Sequence, residues 1–314
     1  MVTLQGVAPC GLPAHDIHMT SNNSRPRRSV LYVPASNERA LAKIASLACD
    51  SVILDLEDAV APAQKVAARE RLTAFLKQRP PDGPEIVIRV NPLASEWGAD
   101  DLKLAASLEP DAVLLPKVDT PRNILEAGDA LDEAFVPHSL KFWAMIETPK
   151  ALLNIGAIAE LGRDPASRLA CLVAGSNDLA KETGIRTRPD RRYLVPLLLH
   201  IVVAARAGGL VALDGVVNDF HDAYRLQAEC AEAAAMGFDG KTLIHPDQIA
   251  AANAAFAPGA EAIAEARAVV AAFAQPENAG KGVIALVGRM VERLHLAEAE
   301  ALLARAAKIE GRAK

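Results

Sequence analysis

The stretch FWAMIE (142–147) is apolar for five residues and then ends on an acid, Glu147. LACLVAGSND (169–178) has the same form, an apolar run followed by Gly175, Ser176, Asn177 and Asp178. A short continuous apolar run bounded by polar or turn residues reads as a strand covered on both faces, the environment of a parallel sheet. Working outward, six further runs share the pattern: SVLYVP (29–34), SVILDLE (51–57), IVIRVN (86–91), AVLLPKV (112–118), LVALDGV (210–216) and GKTLIH (240–245). Between them lie alanine-rich amphipathic segments such as NERALAKIASLA, AQKVAARERLTAFL and HDAYRLQAECAEAAAMG. Parallel neighbours need crossovers of that length. Eight such units predict a TIM (β/α)8 barrel over residues 25–257. An open doubly wound sheet is the competing architecture, and the Gly-x-Gly-x-x-Gly fingerprint it often carries is missing. Residues 1–24 read as a flexible tail, and 258–314 as a C-terminal helical subdomain of two helices joined by PENAGKGVIALVGRM.

Bulk properties narrow the function. The 314 residues carry a formal charge of −5, which argues against a nucleic-acid partner, since phosphate recognition wants a basic face. Cys10, Cys49, Cys171 and Cys230 show no paired spacing, so neither a zinc site nor a disulfide framework is indicated, and Cys171 reads as a small core residue. The longest apolar stretch, YLVPLLLHIVVAARAGGLVAL, is broken by Pro196, His200, Arg206 and a glycine pair, so it predicts a buried helix and strand rather than a membrane span. A cytoplasmic protein is expected.

In a barrel of this kind the functional side chains gather at the C-terminal ends of the strands. By that rule Glu57, Asp58, Arg89, Lys117, Glu147 and Asp178 face one mouth. Glu147 and Asp178 close adjacent strands and have no His or Cys companion, which suits a hard cation. Mg2+ takes one or two carboxylates and completes its shell with water and substrate oxygens. Taken singly, each acid would also serve as a helix cap or first-turn acid. Caps, however, do not require a ring in which acids alternate with a strand-end arginine.

RSVLYVPASNERALAKI, DSVILDLEDAV, IVIRVNP, AVLLPKV, AMIETPKALLN, GSNDLAKETG and KTLIHPDQI, in that order, resemble the CitE-like branch of the HpcH/HpaI aldolase and citrate lyase family. The likeness runs from about residue 27 to 305. It implies a TIM barrel, commonly trimeric, with Mg2+ held by the Glu of IET and the Asp of NDLA, here Glu147 and Asp178. It also implies that Arg89 supports an oxyanion and that Glu57 and Asp58 are outer partners holding water about the ion.

The activity so implied is carbon–carbon cleavage of a 3-hydroxy dicarboxylyl-CoA, such as malyl-CoA or citramalyl-CoA, into an acyl-CoA and glyoxylate or a 2-keto acid. Glu292 stands where the branch's acyl-CoA lyases carry an Asp delivered from a neighbouring subunit. Arg28, Arg39, Lys43, His245 and Pro246 are the expected contacts to the CoA, with Arg25 and Arg27 adding to a basic start. A homotrimer with a small-molecule acyl-CoA or hydroxy-acid substrate is expected. The alternatives are an aldolase on a free hydroxy acid, a citryl-carrier-protein lyase subunit, an acyl-CoA thioesterase and a non-catalytic CoA-ester binder.

Overall fold

The structure, a computed structural model, describes residues 25–79 and 83–312, so the expectation for residues 1–24 lies outside it. Eight parallel strands close into a barrel in chain order: β1 (Ser29–Pro34), β2 (Ser51–Asp55), β3 (Glu85–Arg89), β4 (Ala112–Leu115), β5 (Lys141–Ile146), β6 (Leu169–Ala174), β7 (Val211–Asp214) and β8 (Gly240–Leu243). Closure comes from β8 pairing with β1, Ser29 lying opposite Lys241 and Leu31 opposite Leu243. Every apolar run read from the sequence contains a strand. Most extend beyond it, because the polar residues at their ends already belong to the loops.

Strand side chains alternate between two cores. Val30, Ile53, Val87, Leu114, Trp143, Met145, Cys171, Val173 and Leu213 fill the barrel interior. Leu31, Leu54, Ile88, Val113, Phe142, Ala144, Ile146 and Leu172 face the surrounding helices. Two covered faces are why the strands are apolar throughout. Cys171 is a buried interior residue, as the sequence suggested.

The helices α1 (Glu38–Lys43), α2 (Lys65–Leu76), α3 (Gly98–Leu108), α4 (Pro121–Glu133), α5 (Pro149–Glu160), α6 (Ser176–Thr183), α7 (Val195–Gly208), α8 (Ala223–Met236) and α9 (Ile249–Ala255) follow the strands around the ring. Their starts are written in the sequence. Pro149 occupies the first turn of α5 behind Thr148, whose Oγ1 accepts from the Ala151 N–H at 3.0 Å; Asp222 does the same for the Arg225 N–H at the start of α8. Gly237 ends α8 at φ +97°, a left-handed conformation that glycine adopts without a Cβ penalty. No helix among the described residues is long and apolar enough to cross a membrane.

The C-terminal part has the two expected helices, and the segment joining them adds structure of its own. Between α10 (Ala260–Phe273) and α11 (Arg293–Arg312) an antiparallel hairpin is formed by β9 (Val283–Leu286) and β10 (Arg289–Glu292). The appendage has a small apolar core of its own, with Val269, Phe273, Ile284 and Val291 among its members. Arg305 of α11 ties it to the barrel by donating to the carbonyls of Asp239 and Phe256.

Candidate active site

The inward alternation continues to the strand ends. Two residues beyond interior Ile53 stands Asp55, two beyond Val87 stands Arg89, and two beyond Met145 stands Glu147. All three are buried, and they meet at the C-terminal mouth. Asp55 grips Arg89 with both oxygens, Nε to Oδ1 at 2.7 Å and Nη2 to Oδ2 at 2.6 Å. The Asp55 oxygens also accept the N–H groups of Glu57 and Ala59, fixing the loop after β2. The Tyr32 ring supports the guanidinium at 5.0 Å. The fork leaves Nη1 of Arg89 turned to Glu57, whose Oε2 lies 2.8 Å away but off the hydrogen-bond direction, so this buried oxygen has no hydrogen-bond partner. Asp58, largely exposed, is 3.9 Å from the same nitrogen.

Glu147 is set from two sides. Its Oε1 accepts the backbone N–H of Lys117 at 2.7 Å, and Lys117 holds a left-handed backbone (φ 51°) to present it. On the other side Gly175 leaves room, since a Cβ there would lie 2.3 Å from the Glu147 Cβ. Burial, with the Glu57 and Asp178 carboxylates close by, pushes Glu147 up to about 8. Asp178 is half-buried in the first turn of α6, one strand round from Glu147. Burial also raises Glu57, although Arg89 and Lys117 oppose it, the Lys117 Nζ lying 3.5 Å from Oε1. For Lys117 the sign is reversed: burial lowers it, but the surrounding carboxylates, Glu57 first, outweigh burial and raise it.

These residues fit a hard cation. Glu147, buried beside the Glu57 and Asp178 carboxylates, holds its proton for want of a close positive partner, which is what an ion would supply. Among the described residues no group of three or more His, Cys, Asp or Glu forms a full cage. An ion at Glu147 and Asp178 would therefore draw its other ligands from water or substrate.

The rim residues divide. His245 and Pro246 follow β8 at the mouth, and the His245 ring stacks on Phe220 at 4.5 Å and 14°. His245 also caps the turn at Pro246–Gln248, its Nδ1 accepting the Asp247 N–H at 3.3 Å. Arg39 and Lys43 are exposed on α1, beyond the end of β1. Arg28 is not brought to the mouth. It precedes β1 at the barrel's opposite face, where its guanidinium forks onto Asp50 at 2.8 and 2.9 Å, and Arg25 and Arg27 lie at that face too, paired with Asp111 and Glu85. The basic start therefore sits at the floor, because a residue before a strand and one after it are a strand length apart. Glu292 ends β10 in the appendage, exposed, and none of its contacts among the described residues reaches Glu147, Asp178 or Arg89.

Asp55 is the residue that sequence reasoning missed. SVILDLE reads as one apolar run ending in acids, whereas the period of two from Ile53 marks Asp55 as inward-facing and Leu56 as outward.

The chain is similar to several known proteins. It is 45% identical over 289 residues, 92% of its length and 98% of the relative's, to a (3S)-malyl-CoA thioesterase of Cereibacter sphaeroides. It is 35% identical to the mitochondrial citramalyl-CoA lyase of Rattus norvegicus, over 91% of this chain and 87% of that one. Among solved structures it resembles CitE from Mycobacterium tuberculosis in complex with magnesium, acetoacetate and coenzyme A, with a TM-score of 0.71 and 32% identity over 90% of this chain and 99% of that one. The family model described as HpcH/HpaI aldolase/citrate lyase matches residues 28–246, from the residue before β1 to the turn after β8. The barrel and its mouth thus fall within the match, and the chain belongs to the HpcH/HpaI aldolase/citrate lyase family.

Proposed function

We propose that the chain is a Mg2+-dependent enzyme that hydrolyses the thioester of a 3-hydroxy dicarboxylyl-CoA of the malyl type. The observation that carries the substrate class is the convergence of Glu147, Asp178 and the forked Arg89 on one mouth. Mg2+ bound by Glu147 and Asp178 supplies a Lewis acid and a template for the oxygens of a hydroxy acid. Arg89, its plane fixed by Asp55, offers Nη1 to a substrate carboxylate or to an oxygen gaining charge. Glu57 accepts a proton at Oε2, the oxygen without a hydrogen-bond partner, and the Lys117 ammonium 3.5 Å from its Oε1 steadies its charge. Asp58 lies at the outer edge of the same group. His245, Pro246, Phe220 and Arg39 border the path of the acyl-CoA arm, with Lys43 further out.

The bond broken is the finer question. In hydrolysis, water adds to the thioester carbon, the C–S bond breaks, and the thiol leaves with a proton. In the lyase reaction the hydroxyl loses its proton, the Cα–Cβ bond breaks, and the acyl-CoA enolate must be protonated. Similarity at 45% to thioesterases over nearly the whole chain supports hydrolysis, as does Glu292 in place of an Asp, since enolate protonation is sensitive to the placement of its acid. The lyase reading keeps one observation in its favour, the 35% likeness to citramalyl-CoA lyase. We also infer a homo-oligomer in which Glu292 serves a neighbour's mouth, because it is exposed and remote from its own.

The deciding assay gives malyl-CoA and citramalyl-CoA with Mg2+ to the purified protein and follows thiol and carbonyl product separately. Thiol release without glyoxylate or pyruvate, abolished in Glu147→Ala, is the expected result. Glyoxylate appearing with acetyl-CoA and no thiol would replace hydrolysis with carbon–carbon cleavage.

A further inference from the structure

The barrel floor, the face away from the mouth, holds a cavity of about 540 Å3, within the range of small-molecule sites, about 300–1,000 Å3. Its walls come from the segment before β1, the N-terminal ends of β7 and β8, the end of α9, and α11. Val211, Phe238, Phe256 and Leu302 make it largely apolar. Its charge is one-sided: Arg25, Arg27, Arg305 and Lys308 against the single acid Asp239. Asp239 is already engaged, with Oδ2 accepting from Arg206 and from the Ala212 N–H. Arg305 donates only to backbone carbonyls, and Lys308 has no carboxylate partner among the described residues.

Arg27 adds a buried positive charge behind the cavity wall. It is 5% exposed, and Nε and Nη2 fork onto Glu85, yet its buried Nη1 has no acceptor. The Trp143 ring on which this guanidinium lies, at 5.0 Å, has an indole N–H that is likewise unmatched. A buried donor without an acceptor is costly, so such groups call for an explanation. We propose that this floor cavity is a binding site for a small organic carboxylate with an apolar body, its head group taken by Arg305 and Lys308 and its chain by Phe238, Phe256 and Leu302. Bonds to a charged acceptor are the strong ones, and the apolar walls select against a bare inorganic anion. Because Leu302, Arg305 and Lys308 all belong to α11, the bound acid clips the appendage to the barrel.

Octanoate is the probe, added to the full chain with Mg2+ and followed by calorimetry and by the thermal midpoint, which a ligand of the folded state raises with concentration. Saturable binding is expected, with inorganic phosphate failing to compete. Lys308→Glu and Leu302→Trp, the second filling the cavity without touching charge, should each weaken binding by at least about tenfold while Mg2+-dependent turnover is unchanged. The proposal is overturned if octanoate does not bind, or if it binds the Leu302→Trp protein as well as the parent, which would place it elsewhere. Equal competition by phosphate would overturn the ligand class.

Discussion

A single Cβ decides whether Glu147 can stand where it does. Gly175→Ala places a methyl 2.3 Å from the Glu147 Cβ and 2.9 Å from Oε2. The Cβ is fixed to the backbone and cannot swing aside, and the Cα lies at 3.3 Å, so the substitution should cost about 1–3 kcal/mol of stability and remove most Mg2+ binding, checked by urea unfolding and by calorimetric titration of the metal. Glu147 also makes metal binding depend on pH. Below about 8 the carboxyl keeps its proton, and an ion must displace it. Mg2+ affinity should therefore fall by up to about tenfold for each pH unit below that value and level off above it; a flat profile from pH 6 to 9 would contradict this. Asp55→Asn tests the Arg89 fork: it should lower turnover by about 10²–10³, the cost of losing an aimed donor, with a smaller change in Mg2+ affinity.

At the scale of elements, β7, β8, α8 and the loop before α7 are locked by one ionic cluster. Lys241 and Arg191 reach Asp214 at 2.6 and 2.8 Å, and Lys241 also reaches Glu229 at 3.3 Å, all of them buried. Burial alone would raise Asp214, but the two cations outweigh it and hold the carboxyl below the ordinary range. The stabilisation from a depressed acid is present above the unfolded carboxylate's pKa and is lost as pH falls through the folded value. Asp214→Asn should thus cost about 3–5 kcal/mol at pH 7, because it strands buried cations, and the difference from the parent should shrink in acid. Urea midpoints at pH 7 and at about pH 2.5, below the unfolded carboxylate's value of about 3.9, measure both.

Elements were legible to different depths. The eight strands were readable because both faces are covered and the apolar runs are unbroken. The β9–β10 hairpin was not: β9 is apolar at its exposed as well as its buried positions, β10 buries only Val291, and the turn places Val287 at φ 48°, where a β-branched residue gives no turn signal. The metal-pair candidates Glu147 and Asp178 could be placed from sequence because they lie just past strand ends. Asp55 was hidden inside a strand, and Arg28 was misplaced because proximity in sequence to β1 does not tell one end of the strand from the other.

For the whole molecule, the question is how the appendage relates to the mouth. If Glu292 acts on a neighbour, Glu147→Ala and Glu292→Ala proteins, each inactive, should regain part of the parental turnover when unfolded and refolded together. Mixed oligomers would then contain a mouth with both groups intact. No recovery in a mixture shown by native mass spectrometry to be hetero-oligomeric would confine Glu292 to its own chain or to no role. The ring closure has a consequence for biosynthesis. β1 is made before the rest of the barrel, and its second neighbour, β8, begins only at Gly240. Until that strand leaves the ribosome, the nascent sheet has two open edges, so a chain terminated before Gly240 should be insoluble unless a chaperone shields it, whereas one terminated after α9 can zip shut.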